Sequence, residues 1–120
     1  MEKKPLTPLH HGIIDYGFAA IQLAGPTLLG LNKKTTKLHA LFGAKLLGLT
    51  ALTDSPTGLK PVIPLKTHRK ADLAVLGSLT ALTAMKPIYK NRRSLIFHLA
   101  VVGLGAASFL LTNYKNRRFR

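Results

Sequence analysis

Two pairs of side chains in this 120-residue chain place a carboxylate one helical turn after an imidazole. Asp15 follows His11 by four positions, and Asp72 follows His68 at the same spacing. Residues at i and i+4 share one face of a helix, so each imidazole can hydrogen-bond its own carboxylate. A carboxylate fixes the tautomer of its imidazole partner and favours the protonated ring. Facing pairs of this kind can relay protons, bind a transition metal, or act only as structural pairs.

Four apolar stretches provide the elements that must position these side chains. They cover residues 13–31, 38–53, 71–85 and 94–112, and Lys and Arg cluster between them. A 19-residue helix is about 28 Å long, close to the thickness of a bilayer core. A soluble bundle needs a charged face on each helix, and segments 46–52 and 99–111 have none. The pattern predicts an all-α fold, a four-transmembrane-helix bundle, in which helices two and three extend toward Lys37 and Arg69.

The scarcity of acidic residues makes their positions informative, since the chain has 4 Asp and Glu against 18 Lys and Arg, a formal charge of +14. In a bundle of alternating helices, the starts of helices one and three share a level with the ends of helices two and four. This arrangement predicts one polar cluster that includes three of the four acids. Its eight members are His11, Asp15, Thr53, Asp54, His68, Asp72, Thr112 and Asn113.

Three uses of this cluster follow from its chemistry. Structural pairing needs the fewest assumptions, because Asp15 and Asp72 lie in the first turn of their predicted helices, where an acid favours the positive end of the dipole. A proton or substrate site is the second use. A metal site is the third, with His11, Asp15, His68 and Asp72 as candidate ligands, although the spacing matches no tight multi-ligand motif.

A second pair of histidines is predicted at the other side of the bundle. His39 lies near the start of helix two, and His98 lies about one turn inside helix four. An opposed pair of imidazoles inside a membrane is an arrangement that can ligate haem. The simpler interpretation is that both rings are interfacial and hydrogen-bond backbone groups or lipid headgroups.

The chain also reads as two copies of a helical hairpin within one domain, residues 1–120. The first hairpin covers about 11–54 and the second about 68–113. The two His–Asp pairs are 57 residues apart, whereas His39 and His98 are 59 apart. Because a unit of two helices repeats with the same orientation, the repeat is parallel, with its axis along the membrane normal.

A short motif resembles a known family. The segment Leu23-Ala-Gly-Pro-Thr-Leu-Leu-Gly-Leu31 is similar to the end of the first helix in SPW-repeat membrane proteins, which have Ser-Pro-Trp near that point. Here the triplet is Gly25-Pro26-Thr27, the second copy has Lys86-Pro87-Ile88, and the chain contains no Trp. The opening from His11 to Tyr16 is similar to that of short uncharacterised bacterial four-helix membrane proteins. These resemblances imply paired membrane helices and no particular activity.

Composition and motifs narrow the functional classes. Without cysteine the chain forms no disulfide. Its basic residues are not interleaved with aromatic residues, so we expect anionic lipid headgroups as partners, with a possible homo-oligomer, and no nucleic acid. The sequence has no phosphate-binding glycine loop, no Gly-x-Ser-x-Gly and no His-Glu-x-x-His, so we expect neither an enzyme nor a bound cofactor.

The sequence therefore predicts a small integral membrane protein that acts as a scaffold or binding component through its His/Asp cluster. The alternatives are a small-solute or proton-coupled transporter subunit and a metal- or haem-dependent membrane redox component. The expected location is the bacterial cytoplasmic membrane. Both termini are expected on the cytoplasmic side, which carries a small excess of Lys and Arg.

Overall fold

The computed structural model describes residues 4–114 and is helical throughout. Its helices are α1 (Pro8–Leu28), α2 (Lys33–Ala51), α3 (Leu65–Leu82), α4 (Lys86–Tyr89) and α5 (Arg92–Leu111). Apart from two isolated bridges, residues 4–114 contain no β-structure. The all-α prediction is confirmed, with four long helices and one additional short helix.

Polar caps set the helix starts earlier than the apolar pattern predicts. α1 begins at Pro8 rather than at residue 13, because proline fits the first turn of a helix and Thr7 caps it. The Thr7 hydroxyl accepts a hydrogen bond from the N–H of His10, and the His10 ring accepts one from the N–H of Thr7. Asn32 and Asn91 cap α2 and α5 with a side-chain oxygen that accepts from the N–H three residues later. The earlier starts place His11 inside α1 and leave no acid in the first turns of α1 and α3, so the predicted first-turn positions of Asp15 and Asp72 are wrong.

The third helix also begins earlier and ends earlier than predicted. α3 starts at Leu65 and not at residue 71, so it includes His68, and it has 18 residues instead of about 15. The extension of helix three through Arg69 is confirmed. Pro87 does not terminate this helix, which ends at Leu82; the proline instead occupies the first turn of the short α4, where its missing N–H costs nothing.

Polar side chains outnumber apolar ones among the buried residues. Four apolar side chains are buried among the described residues: Ala19, Leu79, Ile88 and Val101. Twelve polar or charged side chains are buried, including four of the five histidines, and their hydroxyl, amide and ring groups face one another. Large apolar side chains lie outside; Leu104 and Leu110 are 57% and 64% exposed. Burial of apolar side chains is therefore a minor part of what organises this core.

Among the helices of residues 4–114, α5 alone is both long enough and apolar enough to cross a membrane. The other long helices are comparable in length, with 21, 19 and 18 residues. Basic residues occupy the first turns of α2 and α3, which shortens their apolar parts. By length and composition, one of the described helices could cross a membrane, and the predicted bundle of four such helices is not confirmed.

Two isolated parallel β-bridges join the segments at the ends of the long helices, and they occupy equivalent positions in the two hairpins. Leu6 pairs with Thr112, and Ile63 pairs with Thr53. In the first, the N–H of Leu6 donates to the carbonyl of residue 111, and in the second the N–H of Ile63 donates to the carbonyl of residue 52. The equivalent residues of the two bridges are 57 positions apart for Leu6 and Ile63 and 59 positions apart for Thr53 and Thr112, as the histidines are. The two ends of the described chain therefore lie side by side.

The contact between α1 and α2 depends on a residue without a side chain. A Cβ on Gly43 would lie 3.0 Å from the carbonyl oxygen of Ala19 and 3.0 Å from Cγ of Leu23. Gly48, one and a half turns later on α2, has no such neighbour within 4 Å. We expect Gly43→Leu to destabilise the protein by about 1–3 kcal/mol through overpacking. Gly48→Leu is the matched control, because both variants gain the same helix propensity.

Thermal unfolding of the detergent-extracted protein, followed by circular dichroism, measures the difference between these variants. Equal melting temperatures for Gly43→Leu and Gly48→Leu would contradict the close approach of α1 to α2 at residue 43.

Candidate functional site

Four side chains from α1 and α3 meet in a closed arrangement. Nε2 of His11 lies 3.1 Å from Oδ2 of Asp15 and 2.9 Å from Oδ2 of Asp72. Nε2 of His68 lies 3.1 Å and 3.2 Å from the same two oxygens. Each imidazole therefore faces its own carboxylate and that of the other helix. We refer to these four residues as the His/Asp centre.

Threonine hydroxyls hold the opposite edges of both rings. Nδ1 of His68 lies 2.6 Å from Oγ1 of Thr53, and Nδ1 of His11 lies 2.8 Å from Oγ1 of Thr112. Each threonine follows the end of a helix and also approaches the carbonyl oxygen four residues earlier in the chain, at 2.5 Å for Thr53 and 2.6 Å for Thr112. Two oxygens that close share a proton, and a carbonyl has none to give, so each hydroxyl donates to its carbonyl.

These contacts fix the tautomer of both histidines. A hydroxyl has one proton, and because each threonine donates it to a carbonyl, the hydroxyl oxygen must accept from the imidazole. Nδ1 of both His11 and His68 therefore bears a proton. Nε2 of each ring then has either a second proton or a bare lone pair, and a bare lone pair about 3 Å from two carboxylates is repulsive. Positive charge must lie between the rings and the carboxylates, either as protons or as a metal ion.

Further donors surround the carboxylates. The Thr50 hydroxyl donates to Oδ2 of Asp15 at 3.3 Å, and the Tyr114 hydroxyl donates to Oδ2 of Asp72 at 2.9 Å. Burial raises the pKa of the Tyr114 phenol, and the negative charge of Asp72 raises it further. Tyr114 therefore remains protonated and serves as a donor.

The His/Asp centre is shielded from solvent but adjoins a cavity. The side chains of His11, His68 and Asp15 are 6%, 3% and 5% exposed, and that of Asp72 is 11% exposed. A cavity of about 60 Å³ extends from the centre between the helices. Gln22 and apolar residues of α2, α3 and α5 complete its walls. This volume accommodates a few water molecules beside the carboxylates.

The second pair of histidines forms a separate hydrogen-bonded chain. Nε2 of His98 lies 2.7 Å from the carbonyl of Leu79 and must donate to it, so Nδ1 of His98 accepts from Nε2 of His39 at 3.0 Å. Nδ1 of His39 then accepts from the side-chain amide of Gln22 at 3.0 Å. The two imidazoles contact each other directly, which leaves no room for a porphyrin between them. Both rings are buried inside the bundle, and the predicted hydrogen bond to a backbone group is present for His98, whereas the partners of His39 are side chains.

The structure brings together six of the eight residues predicted for the polar cluster. They are His11, Asp15, Thr53, His68, Asp72 and Thr112. Asp54 and Asn113 lie next to the threonines, and their backbone N–H groups donate to Ile63 and Leu6 in the two bridges. Sequence reasoning missed Thr50, Ser108, Tyr114 and Gln22, of which Ser108 lies 3.1 Å from Nδ1 of His11. Thr50 lies three residues before Thr53 and Ser108 lies four residues before Thr112, and these spacings are the local signals for the four residues.

Comparison with known proteins finds no matching family model, no similar curated protein and no similar solved structure. The resemblance to SPW-repeat proteins stays a prediction. The candidate site is defined by the contacts of its own residues.

The threonine contacts can be tested by a nearly isosteric substitution. Thr53→Val removes the acceptor for Nδ1–H of His68 and leaves a buried donor without a partner, which costs about 1–3 kcal/mol. Thr80→Val is the matched control, because Thr80 also donates to the carbonyl four residues earlier, that of Leu76, but is exposed and contacts no histidine. We expect a lower melting temperature for Thr53→Val alone. A similar loss in both variants would contradict the proposed tautomer of His68.

Proposed function

We propose that this chain is a small integral membrane protein that acts as a binding component, with two helical hairpins joined by a centre that holds positive charge. The His/Asp centre is its working part. The observation that carries the proposal is that each Nε2 faces two carboxylates while each Nδ1 donates to a threonine.

The distribution of polar and apolar side chains supports a lipid environment. In water, a chain that buries twelve polar side chains and four apolar ones has little hydrophobic driving force to fold. In lipid the same distribution is favourable, because polar groups must pair inside while Leu104 and Leu110 face acyl chains. Helices of 18 to 21 residues are about 27–32 Å long, which matches a bilayer core. Lys and Arg near the helix ends suit anionic headgroups.

The exchange of partners between hairpins supports a tandem arrangement. Thr53 in the first hairpin accepts from His68 in the second, and Thr112 in the second accepts from His11 in the first. The centre is complete only when both hairpins are docked. The pairing of Leu6 with Thr112 supports an arrangement in which both ends of the described chain lie at the same end of the bundle.

Removal of one imidazole tests the joining role. His68→Gln leaves the two buried carboxylates with one compensating ring, and removal of one partner of a buried pair costs about 3–5 kcal/mol. His10→Gln is the control, because His10 is exposed and contributes only to the cap of α1, worth about 1 kcal/mol. We expect the protein to remain in the membrane pellet after an alkaline carbonate wash. His68→Gln should lower its melting temperature in detergent far more than His10→Gln.

Release of the wild-type chain by carbonate without detergent would contradict the membrane assignment. Equal melting temperatures for the two variants would contradict the joining role of the His/Asp centre.

Proton-coupled transport is a second candidate function, favoured by the cavity that adjoins the centre. The cavity places Asp15 and Asp72 beside a water-sized space inside the bundle, as proton-dependent carriers do with their membrane carboxylates. In this case proteoliposomes should take up protons when a potential is applied, and Asp72→Asn should abolish the flux. His10→Gln should leave it unchanged. A wild-type flux no greater than that of empty liposomes would contradict this candidate.

A further inference from the structure

We propose that the positive charge at the His/Asp centre is a divalent transition-metal ion of the zinc class, bound by His11, Asp15, His68 and Asp72. This inference rests on the proposed function, which requires positive charge at the centre without specifying protons or metal. It identifies the ion that joins the two hairpins.

The spacing of the four candidate ligand atoms fits one ion. Each of the four residues offers one ligand atom, and these atoms all lie within 4.8 Å of one another. The distances between a nitrogen and an oxygen are 2.9, 3.1, 3.1 and 3.2 Å. Ligands bound tetrahedrally to one ion at about 2.0–2.2 Å lie about 3.3–3.6 Å from one another. The four side chains must therefore separate by a few tenths of an ångström, on the order of 0.1–0.7 Å, to hold a metal ion in this geometry.

The tautomers prepare both rings to act as ligands. A histidine binds a metal through an unprotonated nitrogen and usually donates from its other nitrogen to a fixed acceptor. Thr53 and Thr112 are such acceptors, and both are almost fully buried, at 1% and 0% exposure. Nε2 of His11 and His68 is the nitrogen that remains, and in both rings it points at the centre. The same contacts also serve a doubly protonated ring, so the spacing and the donor set, rather than the tautomer alone, favour the metal.

The donor set selects the class of metal. Two imidazole nitrogens and two carboxylate oxygens suit zinc and its neighbours, whereas magnesium and calcium prefer oxygen alone. Two carboxylates neutralise the charge of a divalent ion, which allows the ion to lie in a weakly polar interior. Four protein ligands fill a tetrahedral shell, so the expected role is structural or storage rather than hydrolytic.

The hydroxyl of Tyr114 gives a test that leaves the four ligands intact. It donates to the same Asp72 oxygen that faces both rings. Loss of such a contact to a metal ligand lowers metal affinity by about 10–100-fold. Tyr114→Phe should therefore weaken zinc binding within this range.

The experiment uses the full chain purified in detergent without chelator. Elemental analysis of the wild type, followed by stripping and titration with Zn²⁺ and then Co²⁺, should give about one ion per chain and the strong visible absorption of four-coordinate Co²⁺. His68→Gln and Asp72→Asn should lose both signals. His10→Gln and His39→Gln should retain them, because neither residue belongs to the centre.

The outcomes separate this inference from the proposed function. If the wild type shows neither bound metal nor Co²⁺ absorption, and His68→Gln still lowers the melting temperature strongly, protons provide the charge and the metal proposal is wrong while the joining role stands. Equal zinc binding by the wild type and His68→Gln also overturns the proposal, because the metal then binds elsewhere. If His68→Gln neither lowers the melting temperature nor loses metal, both proposals are overturned.

Discussion

The structure depends on one electrostatic constraint, the need to compensate two buried carboxylates inside a bundle with few other charges. Asp15 and Asp72 each face both imidazoles, at distances between 2.9 and 3.2 Å. A buried carboxylate without a partner is too costly to remain ionised, so the positions of α1 and α3 are coupled through these contacts. The coupling acts over 57 residues of sequence and joins helices that share few other contacts. The registers of α1 and α3 must therefore agree before the centre can form.

The threonines extend this constraint to the other two long helices. Thr53 follows the end of α2 and Thr112 follows the end of α5, and each orients the imidazole of the opposite hairpin. The adjoining bridges to Ile63 and Leu6 hold the segments that precede α3 and α1. Side-chain and backbone contacts thus hold the same four helix ends. The level of the His/Asp centre therefore connects all four long helices.

Much of the centre could be predicted because it follows from local spacing and alternation of helices. The i, i+4 pairs and the up-and-down order of four helices suffice to bring His11, His68 and their carboxylates to one level. The contact between His39 and His98 could not be predicted in this way, because it depends on how α2 and α5 are rotated. Gln22 extends this hydrogen-bonded chain from a third helix, α1. Tyr114 lies beyond α5, where no periodicity constrains its direction. The predicted starts of α1, α2 and α5 are late because the polar caps Thr7, Asn32 and Asn91 outweigh the apolar pattern, whereas α3 begins after Pro64 without a side-chain cap.

The two polar sites make the interior specific in a way that an apolar interior would not be. Within residues 4–114 every buried side-chain nitrogen and oxygen has a hydrogen-bond partner. In lipid, association of apolar surfaces contributes little free energy. Hydrogen bonds and the close approach of small residues therefore determine which helix packing is adopted. His39 and His98 fix the rotation of α2 against α5, and Gly43 permits the contact of α2 with α1. The His/Asp centre lies at one level of the bundle and the His39–His98 pair lies at another, so the long helices have defined rotations. These rotations place Asp15 and Asp72 opposite one another.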